Sequence, residues 1–226
     1  YTNASFLIDE RAARRNEVVA RIAAATAREQ TLVGPVLVIP YTRLVKIQKP
    51  SEKKDDTKLI EVEQRYSDYL YLLPAELDVQ TTLNTEQIRR SLYHAVVFGA
   101  SIAIKGRFTS EGGLLKPEPN EQITVGNPRL IVGISDPRGI LRAPVLAWAD
   151  QRLDFLPGTA EPKMPNGIQA HIRGFDPQAP WSVEFSFTLD LRGTQTFDLA
   201  PVGDTTRIGM RGNWPHPSFQ GQFLPE

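Results

Sequence analysis

Cysteine is absent from the 226 residues. That excludes disulfide staples, thiolate nucleophiles and cysteine-ligated zinc or iron–sulfur centres, and it agrees with an oxidising compartment, where a stray thiol is a hazard. Histidine is scarce: the chain has His94, His171 and His216. None stands with another histidine or a carboxylate in a recognised metal pattern such as HExxH, so no metal and no cofactor is expected. A surplus of one charge is missing too, with 26 Lys and Arg against 26 Asp and Glu. A phosphate polymer rewards a basic surface through counterion release, and nucleic acid is not an expected partner. No stretch approaches the roughly 18–20 apolar residues that cross a bilayer, and no signal peptide is recognisable. The chain opens abruptly at Tyr1 and stops at Glu226 after a strand-like run, as an internal segment of a larger protein would.

Catalytic signatures are lacking as well. GxSxG elbows, P-loops and GxGxxG turns do not occur, and Ser101 and Ser182 are followed by strand-type rather than helix-type residues. No catalytic residue is named, and the reading is non-enzymatic.

What is present is an ordinary globular composition, 41% hydrophobic and 23% charged. A long helix is expected from about Asp9 to Glu29, a stretch free of Gly and Pro. Val18, Val19, Ile22, Ala25 and Thr26 gather there on one face. Gly34-Pro35 marks where the helix stops and strands begin. Val36 to Ile39, Leu59 to Leu73, Leu77 to Thr81, Ile102 to Ile104, Leu130 to Ile134 and Val145 to Trp148 carry strand chemistry. Between Val183 and Leu191, apolar side chains alternate with Glu184, Ser186, Thr188 and Asp190, placing one side on a core and the other in water.

The expected fold is therefore mainly β, antiparallel sandwich-like sheets with one long N-terminal helix. Residues 1–31 are assigned to the helical segment, 32–110 to a first β half and 111–226 to a second, within one compact unit. The Gly- and Pro-rich stretch from Thr109 to Asn120 supplies the boundary. An echo links Tyr71-Leu72-Leu73-Pro74, before a strand and Gly106-Arg107-Phe108, to Leu199-Ala200-Pro201, before a strand and Gly221-Gln222-Phe223. Two similar halves would produce it.

Two stretches stand out as contact candidates. Ser135-Asp136-Pro137-Arg138-Gly139 combines a side-chain acceptor, a fixed φ and a glycine, which makes a tight turn; Asp136 and Arg138 are in reach of each other, and Arg138 is a candidate for a partner. In Trp214-Pro215-His216-Pro217-Ser218-Phe219, two prolines hold His216 in extended or turned backbone. Trp214 and Phe219 are expected to anchor that run and His216 to form a pH-sensitive contact.

Taken in order, Asp9-Glu10-Arg11 with Arg15, Gln30 to Tyr41 (QTLVGPVLVIPY), Leu70-Tyr71-Leu72-Leu73-Pro74, Arg90 with Tyr93, Gly106-Arg107-Phe108, Ser135 to Gly139, Phe155-Leu156-Pro157-Gly158, Pro201 to Thr206 and Trp214 to Phe219 resemble the CreD family of inner-membrane proteins. The departures are Ser91 and Phe98, where the family pattern has Gly and Tyr. The resemblance implies membrane spans before and after this stretch, which would be the large periplasmic domain between the first two. It also implies a link to cell-envelope integrity, envelope stress, β-lactam response and colicin tolerance. No catalytic residues come with it. The leading functional expectation is a non-enzymatic periplasmic domain that binds an envelope protein, peptidoglycan or lipid component. An enzyme acting on a cell-wall or lipid substrate, and a structural cap for the membrane part, are the alternatives.

Overall fold

A computed structural model describes residues 10–14, 16–17, 27–50, 59–90, 93–174, 176, 178–200 and 202–214. Thirteen strands run β1 (Gln30–Pro50), β2 (Leu59–Leu72), β3 (Glu76–Arg90), β4 (Tyr93–Ser110), β5 (Glu121–Val125), β6 (Arg129–Ile134), β7 (Val145–Trp148), β8 (Gln151–Asp154), β9 (Leu156–Pro157), β10 (Gly167–His171), β11 (Trp181–Thr194), β12 (Phe197–Ala200) and β13 (Thr205–Gly212). They form two sheets. Sheet A has the order β12-β1-β6-β10-β9, with β2 and β5 also paired to β1; sheet B has the order β13-β3-β4-β11-β7-β8. Each sequence half contributes strands to both sheets.

Period-two patterning explains the layering. In β11, Phe185, Phe187, Leu189 and Leu191 are buried while Ser186 and Thr188 are exposed. These side chains, with Leu77, Val79, Ile102, Ile104 and Phe108 of sheet B, meet Leu37, Ile39, Leu130, Val132, Ile168 and Ala170 of sheet A in one core. Aromatic rings fill its sheet-B side: Phe108 lies 5.1 Å from Phe185 and 5.7 Å from Trp148, centroid to centroid.

The long helix is corrected. Helical backbone covers residues 10–14 and 16–17; residues 18–26 lie outside the described set, and 27–29 are already non-helical. Nor does Gly34-Pro35 separate helix from sheet. β1 begins at Gln30 and continues through a cis Gly34-Pro35 bond, with a register shift against β6 between Val33 and Val36. Backbone pairing on both sides holds this stretch in a strand: Gln30 to Val33 run parallel to Phe197 to Ala200, and Leu32 pairs with Ile134.

The echoed segments are neighbours. Leu72 to Glu76 and Leu199 to Thr205 each carry the chain from sheet A to sheet B. They hydrogen-bond to one another through Asp204 N–H to Pro74 C=O (2.9 Å) and Thr205 N–H to Ala75 C=O (3.1 Å). β3 and β13 then run parallel from Glu76 and Thr205.

Two hairpins overrun the body. At Gln30 the side chain packs by Gly193 and Phe98, whereas Leu37 is paired with Leu72, just before Ala75 bonds Arg107 of β4. β1 and β4 therefore run the same way. The chain enters at Ala27, whose carbonyl accepts from the Thr194 hydroxyl, and Thr194, Val97 and Glu86 lie in one row. It leaves at Asn213, whose side chain accepts from Thr85 N–H at 2.7 Å. Entry and exit thus share one end, where β3 and β4 continue as a two-stranded tip to Arg90 and Tyr93. The β1–β2 arm projects from the other end, with β2 alone beside β1 beyond Val45.

Candidate partner interface

The turn over Ser135 to Gly139 is a latch on the entry segment. Asp136 caps a 3-10 turn, Pro137–Gly139, accepting from Arg138 N–H. Its carboxylate also accepts from Arg138 Nε at 2.8 Å and Nη2 at 2.6 Å, and from Arg28 N–H at 3.0 Å. The Arg138 guanidinium foremost, opposed by burial and helped by the backbone N–H groups, holds the carboxyl down at about 2. Ser135 Oγ donates to Glu29 C=O and accepts from Thr31 N–H, both at 2.9 Å. Gln30 Nε2 bridges the carbonyls of Asp136 and Arg192 at 3.1 Å each. Gly139 is required by close approach: a Cβ there would lie 2.4 Å from Arg192 O. Asp136 and Arg138 are therefore brought together, and each occupies the other. Trp214 is half-buried; His216 and Phe219 lie outside the described residues.

A second polar surface lies on the other sheet. The outer face of sheet B holds a shallow trough of about 540 Å³ lined by Gln80, Lys105, Arg142, Ser186, Thr188 and Asp190. Lys105 pairs there with Asp78 at 3.6 Å and Arg142 with Asp190 at 3.3 Å, and Ser101 donates to Asp190 at 2.8 Å; Arg152 lines the same trough. Among the described residues no group of three or more metal-ligating side chains is placed to hold an ion.

Strand β2 is different. It pairs with β1 on one side, and among the described residues no strand pairs with its other edge. Among the described residues, its fourteen residues of unpaired ladder are the longest open edge in either sheet; β13 at the rim of sheet B has eight. Such an edge is a template for another extended chain. Exposed apolar groups crowd the same strand and the residue that follows it. Ile60 (44%), Tyr66 (49%), Tyr69 (41%), Tyr71 (47%) and Leu73 (48%) make up half of the exposed large hydrophobics among the described residues. Scattered singly, such groups need no explanation; Tyr69, Tyr71 and Leu73, at alternate positions on one face, are contiguous and mark an interaction surface.

Neighbouring strands position this stripe. Tyr71, Val38, Arg129 and His171 are register partners across β2, β1, β6 and β10, so they share the outer face of sheet A. Arg129 donates to the carbonyls of Thr159 and Ala160 at 3.3 Å each, and its guanidinium lies 5.3 Å from the Tyr69 ring centroid. Tyr71 OH donates to Glu161 Oε2 at 2.7 Å. Glu161 is set there by the 158–167 loop, tied at its base by Gly158 N–H to Gly167 C=O at 2.8 Å. Desolvation, then the bond to the Glu161 carboxylate, pushes the Tyr71 phenol up to about 12. Glu161→Gln keeps an acceptor and removes the charge. In an alkaline absorbance titration, with Tyr71→Phe as the difference reference, the high-pH tyrosine step is expected to move down toward the ordinary phenol range; an unmoved step contradicts the assignment.

Sequence reading identified β2 as a strand with tyrosines but did not single it out as a surface. The tyrosine spacing was the available signal, since Tyr69 and Tyr71 alternate onto one face. Neither the missing neighbour strand nor Glu161, distant in sequence, is visible without the fold.

The family model for "Inner membrane protein CreD" matches residues 3–226. Inner membrane protein CreD of Escherichia coli (strain K12) is 31% identical over 224 residues, covering 97% of this chain and 46% of that protein. The chain thus spans about half the length of this curated relative. No solved structure matches.

Proposed function

Since the chain belongs to the CreD family of inner membrane proteins, we propose that it is a non-enzymatic domain on the periplasmic side of the inner membrane, where it serves envelope integrity and stress responses by holding an extended segment of an envelope protein along β2. The observation that carries this reading is the coincidence of the longest open strand edge among the described residues with the exposed set Tyr69, Tyr71 and Leu73. Main-chain pairing at an edge supplies affinity, and side-chain pockets at alternate positions supply selectivity. Tyr69, Tyr71 and Leu73 on one face, with Ile60 and Tyr66 on the other, provide both sets. The arm that bears Ile60 points away from the end where the chain enters and leaves, which leaves it free to meet a partner.

A photo-crosslinking residue placed at Tyr66 or Tyr71 in intact cells is expected to yield one discrete protein adduct from both sites, absent when the probe is at Ile208 on the β13 edge. Tyr66→Lys with Tyr71→Lys should weaken capture of that protein by about tenfold, equivalent to 1.4 kcal/mol. Equal adducts at Ile208, or capture unchanged in the double variant, sink the edge reading. The folded state of each variant is checked by its circular dichroism.

A further inference from the structure

The open edge of β2 carries both charge signs, in an order that matches itself. On the outer face of sheet A the strand presents Glu61, Glu63, Arg65 and Ser67, and on its other face Ile60, Val62, Gln64, Tyr66 and Asp68. Two of these charges are held within the chain: Glu61 by Lys46 at 2.9 Å, and Asp68 by the Tyr41 hydroxyl at 3.4 Å. Glu63 is the register partner of Lys46, whose ammonium bonds Glu61 instead. Arg65 is exposed and has no ion pair or hydrogen bond among the described residues. An edge that refuses its own copies sets like charges opposite one another, because such pairs are destabilising. The order Glu-x-Glu-x-Arg does not do so in every register.

Symmetry restricts how two such edges can meet. Identical strands joined edge to edge in one continuous antiparallel sheet are related by a two-fold axis perpendicular to it, and every side chain keeps its face. A residue can then oppose only one that shares its face, so the axis lies level with a residue and not between two. With the axis level with Glu63, Arg65 or Asp68, that residue meets its own like-charged copy. With the axis at Tyr66 or Ser67, every charge meets a neutral residue. With the axis at Gln64, Glu63 of each copy stands opposite Arg65 of the other. Val62 then opposes Tyr66, Glu61 opposes Ser67, Ile60 opposes Asp68, and the two Gln64 amides oppose each other. Opposite charges, and aromatic with β-branched residues, are the cross-strand pairs that stabilise a sheet. A side-chain amide offers both donor and acceptor to its copy.

We infer that the segment held along β2 is β2 of a second copy of this chain, joined antiparallel in the register centred on Gln64. The inference rests on the edge reading above and names the occupant of that edge. A chain of an inner-membrane family meets its own copies in one bilayer. The contact is isologous, so it closes at two copies and leaves no β2 edge open between Ile60 and Asp68.

The test uses the full-length protein in its native membrane, with the parent oxidised alongside as background. Gln64→Cys is expected to give a disulfide-linked dimer on mild oxidation, since directly opposed Cα atoms lie about 4.5–5.5 Å apart, within disulfide reach. Glu61→Cys should not link to itself, because its copy lies about 20 Å along the strand; mixed with Ser67→Cys it should link. In the Gln64→Cys background, Glu63→Arg or Arg65→Glu alone should cut the dimer about fivefold or more, and the two together should restore it. That recovery also shows that the fold tolerates each substitution. Equal linking by Glu61→Cys alone, or a double swap that fails to restore, overturns the self-paired register. Absence of the Gln64→Cys link, with photo-crosslinks at Tyr66 and Tyr71 to a protein of another size, overturns the second copy and leaves the edge reading standing. Absence of both link and adduct overturns both.

Discussion

Asp136→Ala is expected to lower the stability of the domain by about 3 kcal/mol, the scale for removing one partner of a largely buried, multiply hydrogen-bonded charge. Asp136 is 7% exposed, and its carboxylate satisfies Arg28 N–H, Arg138 N–H and two guanidinium donors together. Truncation strands the two backbone donors and loosens the turn that fixes Glu29 to Thr31 at the start of β1. Arg138→Ala should cost less, about 1 kcal/mol, because that side chain is 57% exposed and its loss leaves the backbone donors still paired. Urea unfolding reads both: the midpoint should fall with little change in slope, since a local latch does not alter the surface exposed on unfolding. Equal effects from the two variants would contradict a latch built around the carboxylate.

The same group sets a pH signature. Its folded-state pKa is depressed from 3.8 to about 2, so ionised Asp136 contributes its stability in full above the unfolded value. That contribution is lost as pH falls from about 4 through 2. The shift corresponds to about 2 kcal/mol. Asp136→Asn should therefore be less stable than the parent at neutral pH and approach it near pH 2. A constant gap across that window would assign the loss to packing rather than to charge.

How much of this was legible in sequence depends on the range of the interaction. Period-two alternation from Val183 to Leu191 announced a strand with one buried side, because side-chain direction is a local property. The sandwich followed from many short strands of that kind. The latch was half legible: Asp-Pro-Arg-Gly announces a turn and a local ion pair, but nothing in it announces Arg28, 108 positions away in sequence. The helix estimate ran past Ala27 because helix formers there were read without knowing that Gln30 would be claimed by Thr196 and β12. Tertiary pairing overrides propensity at such junctions. The open edge of β2 is a property of its missing neighbour, which no local pattern encodes.

The proposed partner capture would place different demands on the two ends of the sandwich. Chain entry and chain exit occupy one end, where Thr194, Thr85 and Asp136 hold the backbone. The arm at the other end thins from three strands to two beyond Val45 and carries Ile60 exposed, while Tyr66, Tyr69 and Tyr71 stand at its root. Few buried contacts and an unpaired ladder define the low-stability end of a fold, from which binding segments are drawn. Rigidity at the end of chain entry and exit and openness at the other end fit the proposed capture of a partner along β2.

Phe108→Ala should then separate folding from capture. Phe108 is fully buried, with Phe185 at 5.1 Å and Trp148 at 5.7 Å. Removing the ring opens a cavity in the sheet-B side of the core and is expected to cost about 4 kcal/mol. In a domain of this size that corresponds to a fall in melting temperature of roughly 10 °C. Trp148, 3% exposed beside the lost ring, should report it as a red-shifted native emission. Phe108 belongs to β4 of sheet B, whereas β2 hangs on β1 in sheet A. Below its lowered melting point the variant should therefore yield the β2 crosslink at parental intensity, while Tyr66→Lys with Tyr71→Lys should lose the crosslink at nearly parental stability. If both variants instead lost capture in proportion to stability, the signal would track the folded fraction alone, and the edge would hold no partner of its own.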